Sequence, residues 1–238
     1  MPLTIEPVDY KDEPTTLHGL LMWDDTPRDR RPGILVVHGG AGLDEHAKGR
    51  ARRFAESGFV ALACDMYGEG VVGNRERIIR CILDFQAEPL RFCRRAQPAL
   101  DLLRSHPQVD GRLGAVGYCF GGMAVLELAR GGLELKGVVS VHGSLATSQP
   151  AKPGAINAKI LVCHGALDPH VPTAQVTGFA DEMNGVGADY QLIVYGGAMH
   201  GFTHETATGQ QPGVAYHATS DARSSRAILC FFDEIFTT

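Results

Sequence analysis

Short runs dominated by Val, Ile, Leu and Ala recur along this chain, and most are apolar at every position instead of every second one. A strand with that pattern must be covered on both of its faces, which restricts the possible folds severely. The runs are TLHGLLMW (16–23), GILVVHG (33–39), FVALACD (59–65), RLGAVG (112–117), KGVVSVHG (136–143), KILVCHG (159–165) and YQLIVYG (190–196). Helical patterns lie between them. Asp44 is placed to cap a helix over 45–57 whose Ala47, Ala51, Phe54 and Ala55 share one face, and Gly58 ends it. Further helical patterns cover 89–105, the stretch GGMAVLELAR up to Arg130, 173–184, and 218–236, where Ile228, Phe232 and Ile235 fall on one side. The alternation predicts an α/β architecture: one doubly wound, mostly parallel sheet with helices on both faces. Strands before Gly33 have no helix between them and are expected to run antiparallel at one edge. No repeat, linker or low-complexity segment divides the chain, so 1–238 reads as a single domain.

Composition narrows the function. The formal net charge of −5 offers no field that would hold a polyanion, so a nucleic-acid partner is not expected. No apolar run approaches the roughly 20 residues that span a bilayer, and the opening MPLTIEPVDYKDEP lacks the basic and apolar regions of an export signal. The cysteines at 64, 81, 93, 119, 163 and 230 show neither a C-x-x-C pair nor metal-ligand spacing. Reduced thiols and a cytoplasmic location are therefore expected, and no metal site. The oligomeric state is left open.

Residues 117–122 read G-Y-C-F-G-G, a strand-to-helix turn with a cysteine between small residues. Gly117 and Gly121 permit a sharp turn, which pushes Cys119 out at the top of the sheet and onto a helix N-terminus, where thiolate is favoured. Two more polar residues follow strand ends: Asp168 in G-A-L-D-P-H and His200 in G-G-A-M-H-G-F. In an open parallel sheet the carboxyl ends of strands share one crevice, so the three can meet there. Nucleophile, acid, base is the chain order of α/β-hydrolase triads. His200 would move the proton and Asp168 would fix the imidazole. The backbone N–H groups of Phe120 and of Gly40, in H-G-G-A-G (38–42), are the expected oxyanion donors. His38, His142 and His164 also end strands and compete for the role of base.

The chain resembles the dienelactone hydrolases (carboxymethylenebutenolidases), a cysteine branch of the α/β-hydrolase fold. The resemblance covers nearly the whole chain and rests on G-Y-C-F-G-G, H-G-A-L-D (164–168), G-A-M-H-G-F around His200, and D-M-Y-G (65–68). It implies a compact hydrolase of about eight strands, a triad of Cys119, Asp168 and His200, and oxyanion donors at Gly40 and Phe120. It also implies a small ester or lactone as substrate and no cofactor. Two positions depart from the family pattern. Gly39 stands where the family has a glutamate that helps control the thiol, and His204 stands where it has an arginine that grips a carboxylate. Gly39, His204, Tyr67 and Glu69 are the candidate substrate contacts. The segment 69–95, with Arg75, Arg77, Arg80, Arg91, Arg94 and Arg95 around Phe85 and Phe92, is a candidate lid in which an arginine could meet an acidic substrate group. Two other readings stay open: a catalytically silent hydrolase fold that binds a ligand, and a redox-responsive thiol.

Overall fold

The computed structural model describes residues 3–26 and 29–237. Eight strands form one sheet in the order β1-β2-β4-β3-β5-β6-β7-β8. They are β1 (Leu3–Asp12), β2 (Thr15–Asp24), β3 (Arg31–Val37), β4 (Val60–Cys64), β5 (Val109–Tyr118), β6 (Gly137–Val141), β7 (Lys159–Gly165) and β8 (Tyr190–Tyr195). The β1–β2 and β2–β4 pairs are antiparallel and the rest are parallel. The doubly wound sheet and its antiparallel edge are therefore as the sequence predicts. β1 carries no apolar run of its own: LTIEPVDYKD is largely exposed along the sheet edge, so burial gives it no pattern to read.

The helices are α1 (Glu45–Glu56), α2 (Arg75–Ala87), α3 (Leu90–Ser105), α4 (Phe120–Arg130), α5 (Thr173–Val186) and α6 (Ala218–Thr237). Asp44 caps α1, its Oδ1 accepting from the Ala47 N–H at 3.0 Å, and Gly58 follows in the left-handed region at φ 96°. Every residue of α4 is buried, so the turn before it opens on a helix locked into the core.

Strand side chains alternate between two cores. Leu35 and Val37 of β3 join a cluster with Phe85, Phe92 and Phe120 on one face. Ile34 and Val36 join Phe54, Phe59, Phe231 and Phe232 on the other, beneath α1 and α6. This is why the strands are continuously apolar. α6 lies close to the sheet because Gly114 and Gly137 leave room: a Cβ at Gly114 would stand 2.6 Å from Phe232 Cε1, and one at Gly137 would stand 2.4 Å from Ile235 Cδ1. Arg50 of α1 and Asp221 of α6 form a buried pair at 2.7 Å, joining the two helices of this face. Among the described residues, no helix is long and apolar enough to cross a membrane.

The segment 69–95 folds as α2 and the first turn of α3. Phe85 and Phe92 stack at 4.5 Å, and both reach Phe120, at 5.6 and 5.5 Å. Five of its six arginines, Arg77, Arg80, Arg91, Arg94 and Arg95, have partners within the chain. Arg95 is buried, with its Nε 2.8 Å from Asp12 Oδ2 and its Nη1 on the carbonyls of Met66 and Tyr67, so it ties α3 to β1. Arg80, Arg91 and Arg94 pair with Glu76, Asp84 and Glu88 near the surface.

Phe232 is fully buried against Phe54, Phe59 and Phe236. Phe232→Ala is expected to cost about 3–5 kcal/mol of stability, the usual result of emptying a rigid aromatic site. Urea denaturation measures it, and a loss under about 1 kcal/mol would show that α6 is not packed as described.

Candidate active site

Steric crowding fixes the turn after β5. A Cβ on Gly117 would lie 1.9 Å from the Gly121 carbonyl oxygen, and one on Gly121 would lie 2.3 Å from that of Val37. No side chain fits either position, which lets α4 start directly against β3 and β5. Between the two glycines, Cys119 takes φ 55° and ψ −112°. A non-glycine residue there stores about 1–3 kcal/mol of backbone strain. In return its sulfur faces outward, over the ends of the parallel strands.

Three loops bring their polar residues together. His200 Nε2 lies 3.1 Å from Cys119 Sγ, and His200 Nδ1 lies 2.8 Å from Asp168 Oδ2. Asp168 Oδ1 accepts from the N–H groups of His170 (2.8 Å) and Val171 (3.2 Å), so the carboxylate is oriented from behind. The loop bearing His200 is pinned by its own N–H to the Gly213 carbonyl and by Ala215 N–H to its carbonyl.

The electrostatics follow from these contacts. Burial disfavours a thiolate at Cys119, yet His200 and the N–H groups of Gly40 and Phe120 outweigh it and hold the thiol below its ordinary value. Burial opposes charge on His200 as well, and Asp168 and Cys119 overcome it, raising the imidazole. Asp168 is held below the usual carboxylate range because His200 and the His170 N–H outweigh its burial. These contacts shift Cys119 toward thiolate and His200 toward imidazolium, with the Asp168 carboxylate in line behind them. The backbone N–H groups of Gly40 and Phe120 are near enough to the sulfur to favour its thiolate form.

Of the competing histidines, His38 and His142 have other partners, and none is bonded to the Cys119 sulfur as His200 is. His38 has its Nδ1 2.7 Å from the Gly39 carbonyl and its Nε2 accepting from the Met66 N–H, which fastens the 38–42 loop to the end of β4. His142 Nδ1 accepts from the Cys119 N–H at 3.1 Å. His164 is buried with no partner for its Nδ1 among the described residues, and burial lowers its basicity.

A cleft of about 380 Å³ opens over the sulfur, lined by Cys119, His200, Gly40, Ala41, His204, Thr206, Gln211 and Val214 among others. Of the four candidate contacts, His204 lines this cleft. Gly39 lies just behind it, where a Cβ would be 3.8 Å from both Cys119 Cβ and His204 Nε2. The two positions that depart from the family pattern are thus neighbours beside Cys119. Tyr67 is buried, and its hydroxyl donates to the Gly40 carbonyl at 3.1 Å, so it braces the 38–42 loop without lining the cleft. Glu69 is exposed, outside the cleft lining, with its charge near His18. Sequence reading missed Thr206, Gln211 and Val214. The signal was the long irregular stretch 201–217 between β8 and α6, since loops of that length in compact domains are often functional.

Comparison with known proteins places the chain in a family. A profile of the dienelactone hydrolase family matches residues 17–236. A solved dienelactone hydrolase-like promiscuous phosphotriesterase from metagenomic libraries superposes with a TM-score of 0.91 at 40% identity, covering 99% of each chain. An uncharacterised Caenorhabditis elegans protein is 38% identical over 146 residues, 60% of this chain and 92% of its own. An Escherichia coli protein provisionally named a carboxymethylenebutenolidase is 26% identical over 215 residues, 85% of this chain and 77% of its own. The chain belongs to the dienelactone hydrolase family and has the α/β-hydrolase fold; it is a hydrolase of ester or lactone bonds.

Asp168→Asn removes a charge that favours protonation of His200, and through His200 the ionisation of Cys119. The pH midpoint for iodoacetamide alkylation of Cys119 is expected to rise by about one pH unit or more. An unmoved midpoint, read by peptide mass spectrometry, would show that Asp168 does not govern the pair.

Proposed function

We propose that this member of the dienelactone hydrolase family cleaves a small ester or lactone through the thiolate of Cys119 and a thioester acyl-enzyme. The sulfur attacks the carbonyl carbon and forms the C–S bond, and the carbonyl π pair moves to oxygen. The N–H groups of Gly40 and Phe120 receive the oxyanion, an interaction typically worth about 3 kcal/mol for each donor. As the intermediate collapses, the C–O bond to the leaving group breaks and imidazolium Nε2 of His200 protonates the departing oxygen. His200, now neutral, takes a proton from water as its oxygen bonds to the acyl carbon. Collapse of this second intermediate breaks the C–S bond, releasing the acid and restoring the thiolate–imidazolium pair. Asp168 stabilises each imidazolium and fixes its tautomer.

The observation that carries this reading is the unbroken contact line Sγ to Nε2 at 3.1 Å and Nδ1 to Oδ2 at 2.8 Å, with two backbone donors at the sulfur. A silent binding protein has no use for that line. The cleft walls at Ala41, Thr206, Gln211 and Val214 carry no formal charge, which favours small uncharged acyl groups. In our reading the segment 69–95 serves as a roof pinned by Phe85 and Phe92, with Ile82 above the oxyanion loop, where a Cβ at Gly40 would meet it at 3.9 Å. The six cysteines are unpaired, which favours a reducing compartment such as the cytoplasm. A redox-responsive thiol is the weaker reading, because no second cysteine is bonded to Cys119.

The test is hydrolysis of aryl esters, lactones and, given the phosphotriesterase relative, a phosphotriester. Cys119→Ala and His200→Ala are each expected to lower kcat/KM about 1000-fold or more on every productive substrate. Full activity in Cys119→Ala would end this reading.

A further inference from the structure

Behind the elbow runs a line of buried polar side chains that the hydrolytic cycle does not use. Cys119 donates its backbone N–H to two acceptors, the Val141 carbonyl at 3.0 Å and His142 Nδ1 at 3.1 Å. His142 is fully buried at the end of β6, itself at φ 41°. Its Nε2 is 2.9 Å from Thr203 Oγ1, and Thr203 Oγ1 is 3.1 Å from His46 Nε2. His46 Nε2 also accepts from Arg50 Nε at 3.3 Å. Arg50 is fixed by two bonds to Asp221, at 2.7 and 3.0 Å, and by one to the Thr203 carbonyl at 2.5 Å.

The chemistry of the last member sets the direction of the whole line. A guanidinium donates and never accepts. His46 Nε2 is therefore an acceptor, and the contact to Thr203 requires the hydroxyl to donate to it. Thr203 has one proton and has spent it, so its oxygen accepts from His142 Nε2–H. That leaves His142 Nδ1 without a proton, which is the state the Cys119 N–H needs. Reversal at any joint sets two donors face to face at the nucleophile.

We propose that His142 and Thr203 are positioning residues, which hold the strained Cys119 turn through a one-way hydrogen-bond line anchored on Arg50. The inference rests on the hydrolytic role of Cys119 proposed above. A residue at φ 55° persists only where its surroundings over-determine it, and the N–H of Cys119 is the handle by which this line does so. The line must also stay neutral. Burial drives the His142 imidazole well below its ordinary value, and His200, His204 and His46, the titratable groups facing it, push the same way. Burial and then His204 and Arg50 take His46 down to about 2. Its Nδ1 proton is buried without a partner among the described residues, while the ring stacks on His204 at 3.6 Å.

Thr203→Val and Thr203→Ser test this, with steady-state hydrolysis of 4-nitrophenyl acetate and pH-dependent iodoacetamide alkylation of Cys119. Valine keeps the shape and removes the acceptor for His142 Nε2–H. The expected result is a fall in kcat of about 10-fold or more with KM little changed, together with a higher alkylation midpoint; serine restores both to within about 2-fold. A Thr203→Val protein with a lower melting temperature but unaltered kcat and alkylation profile would overturn the proposal, because the line would then be structural only. Should the valine variant fail to fold, ¹⁵N NMR of the wild-type imidazoles decides: His142 protonated on Nε2 supports the line, and on Nδ1 overturns it. Cys119→Ala separates the two claims. If it is inactive while Thr203→Val matches wild type, the hydrolytic reading stands and this inference falls; if it retains activity, the hydrolytic reading falls, and the alkylation and NMR results still decide the line.

Discussion

The close approach of β5, α4 and β3 at Gly117 and Gly121 is the constraint on which the site depends. With side chains at those positions the first turn of α4 would collide with backbone at 1.9 and 2.3 Å. With glycine, the chain reverses so tightly that the residue between strand and helix is forced to φ 55° and its side chain has one direction to go. The same turn places the Phe120 N–H beside the sulfur and brings the Phe120 ring against Phe85 and Phe92. The direction of the Cys119 side chain, the nearness of the Phe120 N–H to its sulfur and the anchorage of the overlying helices are thus three results of one steric fact.

Charge is then distributed by partner rather than by position. Four imidazoles crowd the cleft end of the sheet: His46, His142, His200 and His204. Burial discourages protonation of all four. His200 alone among them is bonded to both a carboxylate and a thiol, so it is the one whose basicity rises. Burial shifts the other three toward the neutral form, which limits like charges in a site of low dielectric. An active site can be rich in histidine and still hold a single proton at a defined place.

Much of this was legible in the chain. β3 to β7 are legible as largely continuous apolar runs because both faces are covered, and the sequence alone shows the order of Cys119, Asp168 and His200 after the runs that become β5, β7 and β8. What escaped had physical reasons. β1 is an exposed edge strand with no hydrophobic signature. Arg95 resembled its charged neighbours in 69–95 and is instead a buried tie to Asp12, because its partner lies far away in sequence. Tyr67 follows its strand as expected yet points into the support of the oxyanion loop, and Glu69, two residues on, faces solvent. Thr203 and His46 carry no motif at all. Their roles arise from packing between α1, the loop after β8 and the end of β6, which no local pattern records.

In our reading, the fold by itself ionises the Cys119 sulfur. Thiolate absorbance in the ultraviolet, followed against pH in the wild-type and Cys119→Ser proteins, measures this directly. The wild type is expected to carry one more thiolate than the variant throughout the neutral range. A difference that develops only as pH passes through the ordinary cysteine value near ~8.5 would contradict it.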